Sequence, residues 1–140
     1  MILLDTNVLV ALADERDQLH DRAKRDLRKL AGPYSTTEIV LSEACFLLTQ
    51  GYLRQRIRSL LERLPVSIIG VDHAHWSEVF DWLTRYAEHE PDLCDATLAV
   101  LGPRSQSRIW TYDREFRSLW RGPDGKLLRV LPSTARGTAK

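Results

Sequence analysis

The sequence predicts an α/β fold, a sandwich built on a mostly parallel central sheet. Two patterns carry that expectation. Ile2, Leu3 and Leu4 form a continuous apolar run ending at Asp5, the pattern of a strand buried on both faces. Strand-like runs then alternate with helical periodicity along the whole chain, which argues for parallel strands joined by crossover helices.

After the first strand, Thr6 and Asn7 can cap a short helix through Leu12. Residues 20–30 read as an amphipathic helix with Ala23, Leu27 and Leu30 at helical spacing, stopped by Gly32 and Pro33. Residues 34–36 form a second strand, and Thr36 or Thr37 caps a helix running to about Thr49. A further helix after Gly51 carries Ile57, Leu60, Leu61 and Leu64 on one face and ends at Pro65. Residues 66–71 have strand character. Asp72 caps the next helix, with Trp76, Val79, Phe80 and Leu83 expected to face inward. Pro91 resets the chain before an apolar helix over 93–101, which Gly102 and Pro103 are expected to cut short. Residues 109–111 read as a strand, 113–119 as a short helix and 127–131 as a last strand.

The 140 residues suit one domain, placed at 1–132 with a flexible tail at 133–140. A net charge of +1 excludes a protein that coats nucleic acid through bulk charge, but not one with a local basic face. No Cys or His spacing resembles a zinc site, and the two cysteines, Cys45 and Cys94, read as buried free thiols of a reducing cytoplasm. The four histidines (His20, His73, His75 and His89) show no ligand or triad spacing and read as surface or capping residues. The opening MILLDTNVLVAL has no basic region before its apolar run, so no signal peptide is expected. No run approaches the roughly 20 apolar residues that span a bilayer.

The carboxylates are more informative. Asp5 and Asp113 each follow a strand, at the edge where open α/β sheets bind ligands. Glu43 sits on a helix with Ile39, Phe46 and Leu47 as its neighbours, and Asp95 is the only charge in LCDATLAVL. Each alone reads equally well as a cap or an ion-paired group. Asp92, one turn before Asp95, could cap its helix or join the acids. Together they differ, because the strand ends of a parallel sheet meet at one edge and the following helices lean over it. Four carboxylates gathered there cannot all stay ionised without a cation. An oxygen-only set favours Mg²⁺ or Mn²⁺ over Zn²⁺, and phosphodiester hydrolysis is the natural chemistry of such a site.

Four segments in register resemble the PIN-domain nucleases, and more narrowly the VapC-type toxins of toxin–antitoxin pairs. They are LLDTNVLVAL with Asp5 and Asn7, TTEIVLSEACFLL with Glu43, DLCDATLAVL with Asp92 and Asp95, and TYDREF with Thr111, Asp113 and Phe116. The resemblance implies a three-layer α/β/α sandwich and a metal-dependent endoribonuclease acting on tRNA, rRNA or mRNA. It further implies a homodimer and a cognate antitoxin that holds the enzyme inactive. Asp5, Glu43, Asp95 and Asp113 then become metal ligands, Asn7 and Thr111 orient the carboxylates, and Asp92 orients water or caps its helix. Arg104, Arg108, Arg114 and Arg117 are candidates for RNA phosphate contacts. The stretch LGPRSQSRIW and the pair Trp110 and Trp120 depart from the family's pattern, which bears on the substrate rather than on the metal site.

Rival readings fit less well. An aspartyl-phosphate phosphatase needs a second acid where Asn7 stands, and a flap-type DNA nuclease needs helical arches for which 140 residues leave no room. A catalytically inactive PIN scaffold, usually marked by lost acids, and a nuclease outside toxin–antitoxin systems remain as alternatives.

Overall fold

The structure is a computed structural model that describes residues 1–133. Apart from Ser133, the tail expected at 133–140 lies outside the described residues. Five strands form one all-parallel sheet in the order β3-β2-β1-β4-β5. They are β1 (Ile2–Leu4), β2 (Tyr34–Thr37), β3 (Ser67–Ile69), β4 (Arg108–Trp110) and β5 (Val130–Leu131). The helices between them are α1 (Thr6–Ala13), α2 (His20–Lys29), α3 (Glu38–Leu47), α4 (Gly51–Arg63), α5 (His73–Arg85), α6 (Leu93–Arg104) and the single-turn α7 (Glu115–Ser118).

The apolar run on β1 is central because it is completely buried, between β2 and β4. From β1 the chain winds outward through β2 to β3, then returns to the other side of β1 for β4 and β5. Right-handed crossovers place the helices of these two halves on opposite faces. Accordingly α1 packs with α2, α3 and α4, while α5 packs on α6. This is the three-layer sandwich anticipated from the sequence. The reversal of winding falls between β1 and β4, and opens a crevice beyond their carboxyl ends.

Three local expectations need correction. Asp5, not Thr6 or Asn7, caps α1 by accepting the Thr6 N–H at 2.7 Å. Gly102 and Pro103 do not break α6, which runs through both to Arg104. Gly102 is buried in the helix, where a Cβ would meet Ile109 Cδ1 at 2.9 Å. The stop comes later, at Gln106 with φ 54°. The Ser107 N–H reaches Gly102 O at 2.8 Å and the Gln106 N–H reaches Pro103 O at 3.1 Å. That pair of bonds is a Schellman motif, which satisfies the end carbonyls without a glycine.

The third correction concerns α5. Phe80 is 60% exposed, whereas Val79 and Trp82 are buried. The helix is rotated toward Trp82 because its indole N–H donates to Arg121 O at 2.7 Å. Its ring also packs edge-on against Trp120 at 5.2 Å and tilted against Tyr86 at 4.6 Å. This aromatic knot ties α5 to the segment leading into β5. Trp82→Phe removes the indole donor and leaves the Arg121 carbonyl without it, so a loss of about 1–3 kcal/mol is expected in urea denaturation. An unchanged midpoint would show that the hydrogen bond does not anchor α5.

Candidate active site

Asp5 stands at the carboxyl end of β1, and the β1–β4 pairing continues one residue further, with the Asp5 N–H donating to Trp110 O at 3.0 Å. The continued register sets Thr111 beside Asp5. Thr111 Oγ1 donates to Asp5 Oδ2 at 2.7 Å, and in turn accepts the Asp113 N–H at 3.0 Å. Asn7 bridges the two strand ends. Its amide donates to Thr111 Oγ1 at 3.2 Å and to Asp5 Oδ2 at 3.5 Å, and its oxygen accepts the Tyr112 N–H at 3.1 Å.

The helices bring the other acids over the same edge. Thr37 caps α3 by accepting the Val40 N–H, so α3 starts at the end of β2. Glu43, on α3, accepts from Thr6 Oγ1 at 2.6 Å. Its neighbours Phe46 and Leu47 are exposed, so Glu43 lies at the margin of the core and not within an apolar stripe. Asp92 caps α6 in a reciprocal capping box. It accepts the Asp95 N–H at 2.8 Å, while Asp95 Oδ2 accepts the Asp92 N–H at 3.2 Å. Asp113 accepts the Glu115 N–H at 2.9 Å.

These elements enclose a cleft of about 320 Å³ whose walls include Asp5, Asn7, Glu43, Asp92, Asp95 and Asp113. A larger hollow of about 720 Å³ between α1, α2 and α4 is lined by Leu12, His20, Lys24, Arg56 and Arg63 with Glu62 as its only acid. It lacks the chemistry of the cleft. Thr6, Cys94 and Asp17 line the cleft too, though the sequence assigned none of them to the site. Thr6 was hidden inside the DTN motif, although its backbone N–H donates to Asp5 and its hydroxyl to Glu43. Cys94 stands against Glu43, and burial followed by that contact pushes its thiol up. Asp17 lies in the loop between α1 and α2, where no periodicity marks it.

The predicted arginines are differently placed. Arg108 starts β4, at the opposite edge of the sheet. Arg104, at the end of α6, is ion-paired with Glu78, its Nε 3.0 Å from Oε1. The structure therefore brings neither to the cleft. Arg114 is exposed next to Asp113, and half-buried Arg117 donates to Pro132 O.

The residues at 2–120 match the PIN domain family. The chain belongs to that family. Among solved structures it resembles VapC20 of Mycobacterium tuberculosis, a toxin that cleaves the Sarcin-Ricin loop. The TM-score is 0.73 and the identity 24%, over 84% of this chain and 94% of that one. It also resembles a chain of a toxin–antitoxin complex from Klebsiella pneumoniae, with a TM-score of 0.61 and 19% identity over 82% and 88% of the two chains. A chain of VapBC2 from Rickettsia felis, bound to a DNA fragment of its promoter, gives a TM-score of 0.62 and 16% identity over 93% and 98%. No curated protein matches. These likenesses show the PIN nuclease fold. Among the described residues no helix is long and apolar enough to cross a membrane.

PIN domains generally use a divalent metal. Among the described residues no three acid, imidazole or thiol groups stand together closely enough to hold one as they are. Their donor chemistry fits a hard cation nonetheless. The ligand set facing the cleft is rich in carboxylate oxygen, and among the described residues Glu43 Oε2, Asp95 Oδ1 and Asp113 Oδ2 accept no hydrogen bond. Burial raises Asp5 to about 6, against the pull of Thr111 and Thr6, with Asp113 and Asp92 adding repulsion. Burial and then the Asp92 charge push Asp95 up to about 8.

Both acids thus hold protons that the unfolded chain, with its carboxyl groups near 3.8, has released. The metal-free fold must lose stability as pH rises from that range to about 8. Its melting temperature is expected to fall between pH about 5 and pH about 8.5, and added Mn²⁺ to raise it more at the higher pH, where the ligands are deprotonated. Melting that is flat with pH, or equal Mn²⁺ shifts at both ends, would contradict the shared acidic cleft.

Proposed function

We propose that this protein is a Mg²⁺- or Mn²⁺-dependent endoribonuclease, the toxin of a toxin–antitoxin pair, acting in the cytoplasm. The observation that carries the reading is the convergence of Asp5, Glu43, Asp95 and Asp113 on one cleft at the switch point of the sheet. Asp5 and Asp95 are assigned as direct ligands, with Glu43 and Asp113 completing the site. A divalent ion held there supplies positive charge against the charge that develops on a phosphodiester attacked by water. The chain's own residues set the geometry. Thr111 and Asn7 hold the Asp5 carboxylate in one orientation, Thr6 holds Glu43, and the capping box holds Asp95 at the mouth of its helix.

RNA as substrate and an antitoxin as partner are supported by what the similar structures are, a Sarcin-Ricin loop cleaving toxin and a toxin–antitoxin complex. Support for a protein partner also comes from the surface beside the cleft. Leu47 lines it, and Phe46, Leu47 and Tyr52 are exposed where α3 meets α4. Leu48 and Ile57, in contrast, are buried in the core and take no part. A homodimer belongs to the same reading. Free Cys45 and Cys94 suit a reducing compartment.

The test is cleavage of a mixed tRNA and rRNA pool by purified, antitoxin-free protein. Discrete cuts are expected with Mg²⁺ or Mn²⁺, and none with EDTA or in Asp5→Asn and Asp95→Asn, both still folded. Thr111→Val, which keeps every carboxylate but releases Asp5, is expected to lose about 10–100-fold in activity. Full activity in either Asn variant would overturn the site. No cutting by a wild type that binds Mn²⁺ would favour a scaffold without catalysis.

A further inference from the structure

The cleft is lined by acids, yet an RNA strand entering it carries a negative charge at every phosphate. Something beside the cleft must offset that repulsion. Of the four arginines singled out in the sequence, Arg104 and Arg108 lie elsewhere. A different guanidinium stands in a suitable place.

Leu19, Arg22 and Asp26 lie on one face of α2 and its entry, at spacings of three and four residues. Leu19 lines the cleft. One turn on, the Arg22 guanidinium lies over the Tyr112 ring at 4.7 Å, within reach of cation–π attraction. Tyr112 immediately precedes Asp113. Its hydroxyl donates to Asp26 Oδ2 at 2.7 Å, while Arg22 Nε stays 3.9 Å from that same oxygen. Asp26 therefore pairs with Arg22 only at long range, without a hydrogen bond. Among the described residues the Arg22 guanidinium makes no hydrogen bond, and its side chain is 53% exposed.

Arg117 adds a second cation on this flank. Burial, and then the charge of Arg22, hold its guanidinium below the ordinary range. Two guanidiniums near enough to repel each other, one of them stacked on a ring with donors that make no hydrogen bond among the described residues, form a poor arrangement for the protein alone. They form a good one for an anion with several acceptor oxygens.

We infer that Arg22, seated on Tyr112 and flanked by Arg117, is a positioning residue that grips a backbone phosphate of RNA next to the cleft. The inference rests on the ribonuclease reading above and extends it with a fixed side of entry for the strand. Tyr112 sets the height of the guanidinium, and Asp26 sets the tilt of Tyr112. The phosphate takes the N–H groups that Asp26 does not.

The experiment is fluorescence anisotropy of a labelled single-stranded RNA 12-mer with the full chain in EDTA, so that no cleavage intervenes, titrated at several KCl concentrations. Wild type is expected to bind with log K falling linearly in log [KCl]. Arg22→Ala should lower affinity roughly tenfold at low salt, the size of one charge-assisted contact. It should also make the slope shallower by about 0.7, the value of one phosphate contact on a single strand. Arg22→Lys should restore the slope but only part of the affinity, since it keeps the charge without the fork. Arg58→Ala, an exposed arginine on α4 beside Glu62, should leave the slope unchanged. A wild-type slope in Arg22→Ala, or no RNA binding by wild type, overturns the inference. Metal-dependent cleavage by that same wild type would leave the nuclease reading standing, so the two fail separately.

Discussion

The hydrogen bond from Thr111 Oγ1 to Asp5 Oδ2, 2.7 Å long, is the interaction on which the site depends. It joins the ends of β1 and β4, the two strands between which the winding of the sheet reverses. Asp5 is only 5% exposed, and a carboxylate so buried must be paid for by hydrogen bonds. It receives them from Thr6 N–H on one oxygen and from Thr111 and Asn7 on the other. The same carboxylate caps α1, so it sets the direction in which that helix leaves the sheet. Thr6, the first residue of α1, then reaches Glu43 on α3. One buried acid therefore aligns two strands and two helices.

The remaining acids are held apart by hydrogen bonds of their own. Asp92 and Asp95 occupy each other's backbone donors, and Asp113 takes the N–H of Glu115. Bonds to N–H groups favour the ionised form, whereas burial and mutual repulsion oppose it. For Asp95 the opposition wins, because burial and Asp92 act in the same direction against a single backbone bond. Carboxylates that repel each other spread out until local donors hold them. This accounts for a cleft that collects six acids on its rim without, among the described residues, drawing three of them together closely enough to hold a metal. Among the described residues Glu43, Asp92, Asp95 and Asp113 each keep one oxygen without a hydrogen bond, so a cation can gain ligands without any of these bonds being broken.

The fold was legible in the sequence wherever burial and periodicity agreed. Ile2, Leu3 and Leu4 announced the central strand, and Asp72 and Thr37 announced the helices that they cap. Expectation failed where tertiary contacts override local chemistry. Gly102 and Pro103 read as a helix stop, but Gly102 is needed for the approach of Ile109 and the terminal carbonyls find partners beyond Pro103. Phe80 fits the apolar stripe of α5, yet the bonded indole of Trp82 fixes a different rotation. The acids of the cleft were visible because a charge among apolar residues is conspicuous. Arg22 was not, since α2 carries four other Lys or Arg side chains over 20–30 and nothing local separates a stacked guanidinium from a solvated one.

The two kinds of charge are kept apart for a physical reason. An arginine inside the cleft would pair with the carboxylates, as Arg104 pairs with Glu78 on the far side of the molecule, and would compete with a divalent ion for their oxygens. Cations that serve the substrate must therefore stand close enough to reach the next phosphate but out of reach of the acids. The turn of helix between Leu19 and Arg22 provides that separation, and Tyr112 holds the guanidinium there. Asp26 faces Arg22 across 3.9 Å, an ion pair too long for a hydrogen bond, while its Oδ2 accepts the tyrosine hydroxyl. A net charge of only +1 is summed over 20 basic and 19 acidic residues of the whole chain, so it carries no trace of this local division.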